Sequence, residues 1–143
     1  MNSKPDNRKL IYSIAENLCK KLNQAGFIVH RYNAETSNSV YVKMDYGVNN
    51  CIRISDHTGK AHMKYRYNIG PYIKNKYTKP DGRNYYMPNQ VRILVNDIIS
   101  DRDKKVYQLG MEAYYELMCK EEGHKGRSGF WDRAELVGEK SHD

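Results

Sequence analysis

Between residues 7 and 25 the apolar side chains Leu10, Ile11, Ile14, Leu18 and Leu22 recur at steps of three and four, the period of one helical face. Gly26 follows as a stop signal. Arg8, Glu16, Lys20 and Lys21 fall on the opposite face, which predicts an amphipathic helix laid leucine side down on another element, a sheet. The pattern then changes from a period near 3.6 to a period of two. Residues 27–32 read as a first strand. After a polar turn, 40–45 alternates strictly, and two further alternating runs, 51–55 and 63–67, follow turns around Gly47 and Gly59. Connections this short predict an antiparallel meander.

Alternation also sorts side chains by face. Val40, Val42, Met44, Ile52, Ile54, Met63, Tyr65 and Tyr67 share the side expected under the helix. Tyr41, Lys43 and Asp45, Arg53 and Ser55, and Lys64 and Arg66 share the other side, four cations with one carboxylate. The stretch 70–86, rich in Pro, Gly, Lys and Tyr, predicts a long ordered loop or hairpin. Pro88 opens a helix to about residue 99, with Val91, Leu94, Val95 and Ile98 as its stripe. Asp101 begins a further helical stretch interrupted by Gly110. The expected architecture is therefore α+β: an N-terminal helix packed on an antiparallel β-meander, followed by C-terminal helices. Residues 1–122 form one domain, and 123–143 a mobile or loosely docked tail in which Phe130, Trp131, Leu136 and Val137 could dock as a short helix.

Charge narrows the partners. Twenty-four Lys and Arg against seventeen Asp and Glu leave a net +7, a field that attracts nucleotides, nucleic acid or acidic protein. No apolar stretch approaches a membrane span or a secretory signal, so the expectation is a cytoplasmic protein without a membrane partner. Cys19, Cys51 and Cys119 are odd in number and widely spaced, which predicts reduced, buried thiols and no zinc site. Thirteen tyrosines against two phenylalanines supply rings with polar tips, suited to interfaces and stacking sites.

Two clusters carry candidate binding chemistry. Cations on adjacent strands about 4.8 Å apart can converge on phosphate groups, and the same row of like charge is unfavourable unless an anion or an interface compensates it. The alternative is a solvated outer face. From Lys60 to Arg83, seven cations accompany Tyr65, Tyr67, Tyr72 and Tyr77, a mixture suited to stacked bases and bound phosphates. Tyr65 and Tyr67 are equally read as packing residues. A third cluster, Asp45, Asp56, His57 and Lys60, loosely echoes a magnesium-dependent nuclease, although aspartates at these positions ordinarily satisfy turn amides. No catalytic set, cofactor motif or metal-ligand spacing emerges, and the expectation is a protein that is not an enzyme.

The run His30-Arg31-Tyr32-Asn33, the segment Ser39-Val40-Tyr41-Val42-Lys43-Met44-Asp45-Tyr46-Gly47, the stretch Ile52-Arg53-Ile54-Ser55-Asp56-His57 and the run Lys64-Tyr65-Arg66-Tyr67-Asn68 resemble, over roughly residues 5–100, the first Thoeris anti-defence family of phage proteins. The resemblance implies a non-enzymatic sponge that sequesters cyclic nucleotide immune signals of the cyclic ADP-ribose type. It also implies intertwined homodimers or higher homo-oligomers holding ligand at subunit boundaries. It places Arg31, Arg53 or Arg66 on phosphate and Tyr86 and Asn96 at the base. With Lys43, His57 and Lys64 from the strands and turns, these make up the expected ligand site. The rival expectation is an inhibitor, such as an anti-CRISPR protein, that covers a nucleic-acid complex.

Overall fold

The computed structural model describes residues 8–35, 37–55, 64–67, 75–80, 83–122 and 133–138, with 64–67 entering through their backbone and register. Helix α1 spans Arg8–Gln24 and buries Ile11, Ala15, Leu18, Cys19 and Leu22. The buried stripe is rotated slightly from the predicted one: Ala15 and Cys19 are fully buried while Leu10 stays 54% exposed. Its end is set by Gly26, whose φ of +96° is available to glycine at little steric cost. There the amide of Phe27 donates to the Leu22 carbonyl and that of Gly26 to the Asn23 carbonyl, the paired bonds of a Schellman stop.

Among the described residues the sheet is antiparallel and has six strands in the order β5-β4-β3-β2-β1-β6. These are β1 (Val29–Asn33), β2 (Val40–Met44), β3 (Cys51–Ser55), β4 (Lys64–Tyr67), β5 (Asn84–Tyr86) and β6 (Glu135–Val137). The four-strand meander is as the alternation predicts, and two three-residue strands extend it at its edges. β5 closes a small hairpin in which the Tyr85 amide donates to the Tyr77 carbonyl and the Lys79 amide to the Arg83 carbonyl. β6 pairs with β1 through Val29 with Val137 and Arg31 with Glu135, so Leu136 and Val137 dock as a strand and not as the short helix expected.

Helix α2 runs unbroken over Val91–Leu109, and α3 spans Met111–Glu122. No boundary falls at Asp101, which is fully buried inside α2; the break comes at Gly110, with φ +91°. Leu94, Val95 and Ile98 of α2 join Val40, Val42, Met44, Ile52, Ile54 and the α1 stripe in one core, so α1 and α2 cover a single face of the sheet. Arg102 ties the two helices: its guanidinium lies 4.3 Å from the Phe27 ring centroid and donates to the Ala25 carbonyl at 3.1 Å, completing the end of α1. Among the described residues no helix is long and apolar enough to cross a membrane.

Candidate binding face

Strand register decides which side chains meet. Residues directly opposite one another in an antiparallel ladder point to the same face. Tyr32 lies opposite Tyr41, Tyr41 opposite Arg53, Arg53 opposite Arg66, and Arg66 opposite Tyr85. One transverse row of register positions thus crosses five strands: Tyr32, Tyr41, Arg53, Arg66 and Tyr85. It lies on the side away from Val42 and Ile52, the face that α1 and α2 leave open. His30 with Lys43 and Cys51, and Ser55 with Lys64, flank it on the same face. No described strand position of this face carries a carboxylate.

The contacts within the row are ordered. Arg53 donates from Nε and Nη2 to the Ser39 hydroxyl at 3.2 and 3.1 Å, which holds its guanidinium 5.7 Å from the Tyr41 centroid. Ser39 is itself buried, so this anchor is fixed. Tyr32 and Tyr41 approach to 6.4 Å between centroids, and Arg133, just before β6, donates to the Tyr32 hydroxyl at 3.1 Å with its guanidinium over the same ring. Beside this end opens a cavity of about 660 Å³ lined by Arg31, Tyr32, Asn33, Glu35, Arg133 and Glu135, a volume in the range that takes small ligands.

The expected residues divide accordingly. Lys43 and Arg53 lie together on the open face, and Lys64 and Arg66 hold register positions there. Arg31 does not join them. It pairs with Val42, so it belongs to the helix side of the sheet, where its guanidinium sits 5.2 Å from the Tyr12 ring of α1 and donates to Asn33 at 2.9 Å. Arg31 and Arg53 therefore cannot close on one phosphate from a shared face; Arg31 reaches ligand space only through the edge cavity. Tyr86 is a core residue, 1% exposed, with its ring 4.9 Å from Tyr77 in a stacked arrangement. Its hydroxyl accepts from Asn84 at 2.8 Å and donates to Asp97 at 2.6 Å. Burial first, and the Asp97 hydrogen bond second, push that hydroxyl well above the ordinary tyrosine range. A base cannot stack on a ring so enclosed. Asn96 is exposed on α2 and lines a separate groove of about 570 Å³ with Ser100, Asp103, Lys104 and Tyr107. His57 lies outside the described residues, as do Asp56 and Lys60.

Asp45 has a structural task. It opens a turn in which Asp45, Tyr46 and Gly47 take φ values of 52°, 58° and 96°. One carboxylate oxygen accepts from the Ile28 amide at 2.9 Å and the other from the Tyr114 hydroxyl at 2.5 Å. Nearby, Lys105 donates to the Val48 carbonyl at 2.6 Å, and burial pulls its ammonium below the ordinary lysine value. Both Asp45 oxygens are thus engaged by the protein itself. Among the described residues no group of three His, Cys, Asp or Glu is arranged to hold a metal ion.

No family model, curated protein or solved structure matches this chain. The site is therefore read from its own geometry. That geometry also brings forward residues that strand patterning alone did not single out: Tyr32, Tyr85 and Arg133, which become neighbours of Tyr41 and Arg53 only through pairing. Of the three cysteines, Cys19 is buried as expected, Cys51 is half-buried on the open face, and Cys119 is exposed on α3, contrary to the expectation of three buried thiols.

Proposed function

We propose that the protein is a non-enzymatic nucleotide binder that holds its ligand on the open face of the sheet. The observation that carries this reading is the register row Tyr32, Tyr41, Arg53, Arg66 and Tyr85, in which aromatic positions, whose rings suit base stacking, flank two arginine positions, whose residue type suits phosphate. Arg53 and Arg66 occupy directly opposite register positions, and like charge at such positions is unfavourable unless an anion such as phosphate compensates it. The engagement of Asp45 by Ile28 and Tyr114 supports capture of the ligand over its turnover. Within this reading, sequestration of a cyclic nucleotide signal by an assembly of copies is the role implied by the resemblance to the Thoeris anti-defence sponges.

Titration calorimetry at low salt with AMP, cyclic ADP-ribose isomers, cyclic dinucleotides and short oligonucleotides tests the proposal. The expected result is saturable heat for at least one of them, with the ligand recovered unchanged by mass spectrometry. Arg53→Gln should weaken that binding about tenfold, the scale of one charge-assisted contact. Absence of heat for all of them overturns the reading, and conversion of the recovered ligand overturns its non-enzymatic part. Light scattering that reports a monomer with ligand bound removes the assembly.

A further inference from the structure

We infer that the ligand of the open face is an extended single strand of nucleic acid, lying across the β-strands with two or three bases stacked on the row; this rests on the nucleotide reading above. A compact ligand calls for groups that converge on one point. The row does not converge. It crosses β1 to β5 in four inter-strand steps of about 4.8 Å, a span of roughly 19 Å. Its order along the register is also directional: tyrosine at positions 32 and 41, arginine at 53 and 66, and tyrosine again at 85. That sequence places bases at both ends and phosphate between them, which is the covalent order of a short strand and not of a mononucleotide. Sheets that read single-stranded RNA use the same principle, splaying two or three bases onto exposed aromatic residues.

Three further features fit an extended polyanion. Lys43 and the Lys64 position flank the row, so the cations form a band and not a point. The faces of Tyr32 and Tyr41 are braced by Arg133 and Arg53, whose guanidinium groups present a second planar, cationic surface to a base or phosphate. At the β1 edge, Leu136 pairs with His30 and is 59% exposed, extending the face with an apolar contact beyond the last ring. A duplex holds its bases stacked inside and cannot present them to these rings, so discrimination against double strands follows from the same geometry.

Fluorescence anisotropy with labelled DNA and RNA of two, four and eight nucleotides, the matching duplexes, and AMP and a cyclic dinucleotide as competitors tests this. The tetranucleotide is expected to bind at least ten times more tightly than AMP or the cyclic dinucleotide and more tightly than duplex, with affinity falling as salt rises at a slope set by the phosphates neutralised. Tyr41→Ala should weaken strand binding about 5- to 140-fold, the value of one stacked base, while Tyr41→Phe retains it. Tyr115→Ala, an exposed ring on α3, serves as the control and leaves binding unchanged. Equal or tighter binding of AMP, the cyclic dinucleotide or duplex overturns the extended strand while leaving nucleotide capture standing. Equal loss in Tyr41→Phe and Tyr41→Ala overturns the stacking role. No binding by any nucleotide overturns both.

Discussion

Replacing Tyr114 with phenylalanine removes one oxygen and little else, which makes it the sharpest probe of how α3 is held. Tyr114 of α3 is buried, and its hydroxyl donates to Asp45 at 2.5 Å. The ring of phenylalanine fills the same space, so no cavity opens and the change isolates the hydrogen bond. Asp45 is 3% exposed and keeps only the Ile28 amide in the variant. A hydrogen bond to a charged group contributes about 1.5–3 kcal/mol, and an acceptor left buried without its donor carries a penalty of the same order. For a chain of this size each kcal/mol moves Tm by about 2–4 °C, giving an expected fall of roughly 3–12 °C. Burial, reinforced by Asp45, raises the Tyr114 hydroxyl above its ordinary value of 10.0. A group raised in the folded state contributes fully below its unfolded value and loses that contribution as pH climbs past it. The Tm difference between wild type and variant should therefore be constant from about pH 6 to 9 and narrow above about pH 10. Calorimetric melts across that range provide the check. A difference under 1 °C at pH 7, or one that widens above pH 10, refutes the reasoning.

Tyr86→Phe should destabilise by about 1–3 kcal/mol in denaturant melts, because Asn84 and Asp97 both lose their shared partner. Its nucleotide affinity should stay within twofold of wild type; a large loss in a folded variant would return Tyr86 to the binding site. Ellman's reagent at pH 8 should find a fast thiol at the exposed Cys119, abolished by Cys119→Ser, whereas Cys19 reacts only on unfolding, since burial pushes its thiol up to about 11. A rapid reaction of both in the folded protein would contradict this packing.

The meander and its faces are legible in the sequence because they rest on local information. Val40, Val42, Met44, Ile52 and Ile54 alternate without exception, and every one is fully buried. His30-Arg31-Tyr32-Asn33 offers no such contrast. Four polar residues in succession cannot be sorted by hydropathy, and only pairing with β2 shows that Arg31 falls with Val42 and Tyr32 with Tyr41. β5 and β6 are too short to display a period, and β5 turns a fully buried asparagine inward, where Asn84 is satisfied by Thr78, Asn75 and Tyr86. The resemblance places Tyr86 at the base, and nothing in the sequence reveals that Asp97, in α2, accepts from its hydroxyl. The row from Tyr32 to Tyr85 is a product of register across five strands, and register is a property of pairs that no single strand carries.

The place of β6 beside β1 has a consequence for synthesis. The outer ladder of β1 is complete by residue 33, yet the strand that covers it comes only at 135–137. At about 5–20 residues per second, a ribosome leaves that ladder open for roughly 5–20 seconds. Bare ladders recruit neighbouring chains, and the usual protection is a poorly apolar sequence along the strand. The same four polar residues that hid the face assignment, His30 to Asn33, supply that protection, keeping the nascent edge wet until β6 arrives.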